Sequence, residues 1–381
     1  MQYLKAVCGL LCFLILASNV WSMSRWNETR GVYDDLCYLR QAHLFQKYGV
    51  GGLDTDTTRD DDHYLSSRLK AIGFPDWNDP AKAPCHNPMP APDKMVLQYP
   101  PGTGFVLALF PEGFQVIPLY ASATVVIFAF ALLGISYARS TSAIVPTAAF
   151  GCLAIYLMIN PAKASYSVAP TMVACALAGF LTARLFHAEQ RRQRLLLTGL
   201  VGLILGLAVN FRLPNLLLSS GYFVFFFGSF LMTRKLETVL QGVLFGVAFL
   251  AGLAPTLFAN AINAGSPFAT TYGSADVTPP DFSFRVIRSY VADMQFFLLM
   301  LAMAWTALML ARPSSNGAQR IALVTAANLT VNLAFFLSHP VFTPYYTIPI
   351  AMLSQWSLLF AFLMHPPEAV DGRLLAQAAK A

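Results

Sequence analysis

Charge is what this chain has least of. Asp, Glu, Lys and Arg make up 12% of its 381 residues, while 56% are hydrophobic; soluble domains carry roughly 25% charged residues. One soluble core cannot hide that much apolar surface, so a single soluble domain is excluded and a bilayer is called for. Short segments of alternating apolar and polar residues are missing too, which excludes a membrane barrel. No internal repeat, heptad run or low-complexity linker interrupts the sequence. The net charge of +6 would point a soluble protein toward nucleic acid. In a membrane chain Lys and Arg also set orientation, so no nucleic-acid partner is expected.

What is present is a series of apolar runs. A span needs roughly 20 mostly apolar residues. Ten stretches approach that length: 4–22, 115–138, 143–160, 168–187, 195–211, 213–232, 237–258, 291–311, 320–338 and 345–364. In lipid each must satisfy its backbone internally, which makes it a helix. The expected fold is an all-α integral membrane protein. It is one polytopic domain over 1–381 with about ten transmembrane helices. A large first extracytoplasmic loop at 23–103 carries amphipathic interfacial helices, and a short polar tail covers 365–381.

Orientation follows from the basic residues. With the N-terminus inside, Lys5, Arg139, Arg184, Arg191, Arg192, Arg194, Arg234, Lys235, Arg312, Arg320, Arg373 and Lys380 are cytoplasmic. Only Lys163, Arg212, Arg285 and Arg288 fall in short outer loops. That asymmetry obeys the positive-inside rule. Residues 4–20, with the small pair Ala17-Ser18, also read as a cleaved signal peptide. That alternative leaves nine spans and the same outer loop; a retained first helix fits the even topology better.

The unusual residues gather on the outer face. In the first loop Leu36, Leu39, His43 or Leu44, and Lys47 fall at helical spacing, with Gly49 as a stop. An interfacial amphipathic helix is expected there. Asp34 and Asp35 stand at its N-terminus, where carboxylates are electrostatically favoured. They read either as helix capping or as a pair in which one member binds a metal or acts as general base. Asp54, Asp56, Asp60, Asp61, Asp62 and His63 follow. Oxygen ligands of this kind suit a hard divalent cation. The positions and glycine of an EF-hand are lacking, so a solvated, mobile loop is the expectation. The loop closes on Tyr99-Pro100-Pro101-Gly102, whose prolines and glycines break a helix; an apolar run too short to span follows, dipping into the outer leaflet.

Of six cysteines, Cys8, Cys12, Cys152 and Cys175 lie in spans and read as packing residues. Cys37 and Cys85 share the outer loop, where an oxidising compartment permits a disulfide. His43, His63 and His86 lack the tight spacing of zinc ligands. Asn27-Glu28-Thr29 is a glycosylation sequon that matters only in a eukaryotic source.

Several of these stretches resemble the GT-C membrane glycosyltransferases, in particular bacterial relatives of protein O-mannosyltransferases and of the lipid A aminoarabinose transferase. Asp34-Asp35-Leu36-Cys37-Tyr38, then Ala42 and Gly49, resemble the family's first-loop motif. Tyr99-Pro100-Pro101-Gly102 resembles its second signature. Looser matches are Asn210-Phe211-Arg212-Leu213-Pro214, Asn260 to Phe268 with Tyr272-Gly273, and His339-Pro340 to Pro349. In the last, His339 and Tyr345 stand near the places of the family's arginine and tyrosine. The resemblance covers about residues 30–350, with the motifs in order. It departs in the short chain, in the absence of a soluble domain after the last span, and in the missing final arginine.

The resemblance implies transfer of a sugar from a polyprenyl-phosphate donor at the outer face of a bacterial inner membrane. The acceptor would be a glycan, lipid or protein. Asp34 or Asp35 would serve as base toward the acceptor hydroxyl, with Asp35 slightly favoured by its Asp-x-x-Tyr spacing. Tyr38, Tyr99, His339 and Tyr345 are further substrate-binding candidates. The leaving phosphate calls for positive charge in a poorly hydrated site. Arg212, Arg285, Arg288 and Lys94 are the outer-face candidates, and Arg212 is the best because a charge at a span's end needs a reason. Its alternative is snorkelling to the interface. A divalent metal, Mg or Mn, held at Asp34 and Asp35 could share the phosphate's charge.

Two other classes compete. A secondary transporter or flippase usually shows ionisable residues or broken helices near mid-membrane, and paired repeats; here the span centres are nearly uncharged. A non-catalytic scaffold of envelope glycan assembly would use the carboxylate pair for capping alone. The sugar, the acceptor and the oligomeric state are not legible in the sequence.

Overall fold

The structure is a computed structural model describing residues 1–28, 33–89, 93–159, 165–273, 279–312, 315–339 and 346–364. Tyr345, Lys163, Thr29 of the sequon and the tail 365–381 lie outside the described residues. The elements are α1 (Gln2–Met23), α2 (Tyr33–Tyr48), α3 (Tyr64–Ala71), β1 (His86–Met89), β2 (Lys94–Leu97), α4 (Gly102–Leu107), α5 (Val116–Tyr137), α6 (Thr141–Leu157), α7 (Val168–His187), α8 (Arg191–Val209), α9 (Ser220–Thr233), α10 (Leu236–Ala264), α11 (Phe284–Val291), α12 (Phe296–Ala311), α13 (Asn316–Ser338) and α14 (Ile348–Met364).

The apolar stretches of the sequence fall on helices over their described residues, one of them broken. Among the described residues, seven helices are long and apolar enough to cross a membrane, or eight if the bent pair α11–α12 forms one span. This is fewer than the expected ten. α6 and α14 have 17 residues each, about 26 Å of helix, against a hydrocarbon core of about 30 Å. The eighth stretch is broken, with α11 meeting α12 at 90°. Among the described residues the chain is thus an all-α membrane protein of seven or eight candidate spans plus two shorter apolar helices.

α14 is the centre of the bundle. Its side chains from Ile348 to Ala361 are all buried, by α7, α13, α12 and α5. A helix apolar on every side needs such an interior place. α1, the stretch that also reads as a signal peptide, packs on α5 and α6. There Asn19 Nδ2 donates to the Ile155 carbonyl at 2.6 Å.

The first loop is folded, which corrects two expectations. α2 is a helix ending where Gly49 takes φ +58°, but it is not an amphipathic surface helix. All residues from Asp35 to Ala42 are buried. On one side Leu36 joins Leu65, Leu69 and Ala83 in a small core; on the other Tyr38, Leu39 and Ala42 belong to the main core. The acidic stretch is not a free loop either. Asp61 accepts from Arg40 Nε at 3.0 Å, Lys94 bridges to Asp54 at 3.2 Å, and Lys47 bridges to Asp60 and Asp62 at 3.0 and 2.8 Å. The antiparallel pair β1–β2 aligns His86 with Leu97 and Met89 with Lys94. A disulfide joins Cys37 to Cys85 and ties α2 to this hairpin.

Candidate functional site

The site is assembled where the second and third sequence motifs meet. Pro255 lies inside α10. A helical proline disturbs the hydrogen-bond ladder around it. The side chain of Asn210, just past α8, enters the resulting gap. Its Nδ2 donates to the Gly252 carbonyl at 2.7 Å, and its Oδ1 accepts from Thr256 N–H at 2.9 Å. These are the two groups that would otherwise bond each other at the helical i→i−4 spacing. The Asn210–Arg212 turn is therefore fixed to α10.

The Tyr-Pro-Pro-Gly segment is bound to that turn in its own right. Gly102 N–H donates to the Asn210 carbonyl at 2.7 Å, and Thr103 Oγ1 donates to the Phe211 carbonyl at 3.2 Å. A Cβ on Gly102 would meet that Asn210 carbonyl oxygen at 2.7 Å, and one on Gly104 would meet Gln41 of α2 at 2.5 Å. Both glycines are required by close approach. Here the expected helix-breaking segment instead starts α4 at Gly102 and wedges it between α2 and the end of α8.

Four candidates from the sequence come together at this junction. Tyr99 Oη donates to Asp34 Oδ1 at 2.6 Å. The Tyr99 ring stacks on Tyr38, with centroids 4.6 Å apart. Tyr38 is buried, with Ser167 and Ser165 near its hydroxyl. It feels both the Arg212 cation and the Asp34 carboxylate. Arg212 is 7% exposed, which overturns the snorkelling alternative, and its guanidinium lies 4.4 Å from the centre of the Tyr346 ring. Tyr272 completes the group, in electrostatic reach of Tyr38, Tyr346, Arg212 and Asp34. Burial, chiefly, pushes the Tyr38, Tyr99 and Tyr272 hydroxyls above the ordinary phenol range, so they stay protonated donors.

The remaining described candidates are placed otherwise. Asp35, favoured by spacing, is fully buried and has interactions of its own. Lys94 sits on Asp54 and near the Ile262 carbonyl. Arg285 and Arg288 are exposed on α11, whose Val286 and Tyr290 are buried. His339 turns back on its own helix, with Nδ1 donating to the Phe335 carbonyl at 2.8 Å and the ring stacked on Phe335. Tyr345 lies outside the described residues, while its neighbour Tyr346 carries the contact with Arg212.

The carboxylate pair does not fit a metal held by both members. Adjacent helical residues project about 100° apart. One here meets Tyr99 and the other is enclosed. Among the described residues no three His, Cys, Asp or Glu side chains gather as metal ligands.

Beside the polar cluster runs an apolar cleft of about 300 Å³ between the first halves of α5 and α7 and the last turns of α8. Val106 of α4 and Phe211, next to Arg212, line its upper part, with Leu119, Val126, Val173 and Leu207 along it. Phe211 joins the cleft to the turn that carries Arg212, whose own side chain lines a separate small cavity with Tyr346 and Pro349. No protein-family model matches the chain, and no curated protein matches it.

Proposed function

We propose that the chain is a glycosyltransferase that takes a sugar from a polyprenyl-phosphate donor at the outer face of a bacterial inner membrane. The observation that carries the reading is the convergence of Asp34, Tyr38, Tyr99 and Arg212, with an apolar cleft lined by Phe211 next to Arg212 in the chain. The prenyl chain would occupy the cleft and bring the phosphate to Arg212. Asp34, half-buried and facing Tyr99, is better placed than Asp35 to meet a substrate. Its carboxylate takes the proton of the acceptor hydroxyl as that oxygen bonds to the anomeric carbon. The bond from that carbon to the donor phosphate breaks, and the polyprenyl phosphate leaves with its charge beside Arg212. The Cys37–Cys85 bridge supports an oxidising compartment for the first loop, in accord with the distribution of basic residues. In this reading α6, α14 and the α11–α12 pair also cross the membrane, giving ten spans with the N-terminus inside.

The test is incorporation of label from a panel of radiolabelled polyprenyl-phosphate sugars by membranes holding wild-type, Asp34→Asn or Arg212→Lys protein at matched expression. Transfer by the wild type that is lost in Asp34→Asn and weakened in Arg212→Lys is the expected result. Undiminished transfer by Asp34→Asn would overturn the assignment of the base and leave the pair as a helix cap.

A further inference from the structure

The helices that bring the Asp34 site together at one end enclose a second, unrelated cavity at the other. It lies between the last turn of α7, the first turns of α8 and α10, the end of α9 and the start of α13, and has a volume of about 270 Å³. Its lining is divided by chemistry. Arg194, Lys235 and Arg320 bring three positive charges, and Glu237 brings one negative. Arg194 is committed to Glu237 at 2.7 Å. Lys235 and Arg320 have no carboxylate within ion-pair distance among the described residues. The first turn of α10 adds uncapped N–H groups, since its N-cap Lys235 offers no side-chain acceptor, and a helix N-terminus favours an anion. The opposite wall is apolar, with Leu185, Phe186 and Phe225. Met232 and Leu236, on either side of Lys235, are 89% and 70% exposed.

We propose that this cavity binds the head group of an anionic phospholipid, with the phosphate between Lys235 and Arg320 and the acyl chains over the Phe186–Phe225 wall. Two uncommitted cations call for an anion, and the apolar wall, with the exposed Met232 and Leu236 beside Lys235, calls for one attached to hydrocarbon. Basic pockets between helix ends on the cytoplasmic side suit such head groups. The proposal does not depend on the activity assigned to the Asp34 site.

Native mass spectrometry of the full chain in detergent tests it, with phosphatidylglycerol and phosphatidylcholine added separately at equal concentration. Wild-type protein is expected to retain phosphatidylglycerol selectively. The Lys235→Gln/Arg320→Gln variant should retain it about thirtyfold less, since each basic residue near an anionic lipid contributes about 1 kcal/mol and 1.4 kcal/mol is tenfold. Both residues are exposed, so the fold should survive, and matched thermal midpoints would establish that. The Arg192→Gln/Arg312→Gln variant removes two exposed charges outside the cavity and should bind as wild type. Equal retention by both double variants, or of both lipids by wild type, would overturn the proposal. Displacement of the lipid by millimolar inorganic phosphate would assign the cavity to a soluble anion, and overturn it too.

Discussion

Tyr99 donates its phenolic proton to Asp34 across 65 residues of sequence, at 2.6 Å, while its ring lies flat against Tyr38. The contact fixes the carboxylate of the proposed base. Tyr99→Phe preserves the stack and removes only the donor. A hydrogen bond to a charged group contributes about 1.5–3 kcal/mol. Sugar transfer should therefore fall roughly tenfold to a hundredfold if that bond orients the carboxylate in the transition state. Initial rates in membranes at matched expression check this. Rates equal to wild type would remove Tyr99 from the machinery.

A second network, without tyrosine, holds the first loop. Arg40 is 1% exposed. It donates to Asp61, to the Thr55 and Asp56 carbonyls, and through Nη1 to His86 Nε2 at 3.0 Å. His86 Nδ1 lies 2.8 Å from the Pro84 carbonyl. Only a neutral ring with its proton on Nδ1 satisfies both contacts. Burial, and next the Arg40 charge, pull the His86 pKa from 6.5 down to about 3. Below pH 6.5 the unfolded chain takes up this proton and the folded chain does not, until about pH 3. The unfolded state then binds more protons, so stability falls as pH falls through this window, by about 1.4 kcal/mol per pH unit well inside it. Thermal unfolding of the purified protein between about pH 7 and pH 4 should show this loss, with a shallower slope for His86→Gln. Identical slopes would show that His86 does not carry it.

The apolar stretches were legible because lipid leaves the backbone one way to satisfy itself along a single segment. Their lengths were less so. Hydropathy does not register the turn between Val291 and Phe296 that breaks one run, or the end of α6 at Leu157. The Asp34, Tyr99 and Arg212 motifs could be ordered by resemblance, and they do converge. Which carboxylate faces outward could not be read, because burial of Asp35 depends on packing from several parts of the chain. Arg40 was passed over altogether. It stands in a stretch rich in polar residues, and only the fold reveals that its partners at 55, 56, 61 and 86 surround it. Lys94 stands among the phosphate candidates for the same reason in reverse, since its partner Asp54 lies 40 residues away.

Asn210 should prove a structural residue within a functional motif. Asn210→Ala would leave the Gly252 carbonyl and the Thr256 N–H facing each other across the gap near Pro255, without the amide that now serves both. Each buried polar group left unpaired costs about 1–3 kcal/mol. The thermal midpoint in detergent should drop clearly, and Asn210→Asp, which accepts but cannot donate when ionised, should not restore it. An unchanged midpoint for Asn210→Ala would mean that α10 closes the gap by itself.

The last prediction concerns α1, which hydropathy alone does not distinguish from a signal peptide. Its contacts argue for a member of the bundle. Asn19 bonds to the backbone of α6, and the Cys12 and Cys152 sulfurs lie 3.6 Å apart across the same interface. Cys8, Cys12, Cys152 and Cys175 are the free thiols among the described residues. A membrane-permeant oxidant should therefore remove two of four alkylatable thiols and yield a crosslinked peptide joining residues 12 and 152. Cys12→Ala should abolish the crosslink and leave three thiols reactive. The same measurement fixes the fate of the segment, because a processed chain would lack Cys8 and Cys12 and form no crosslink. That outcome would take Asn19 from α6 and leave the face of α6 now covered by α1 open to lipid.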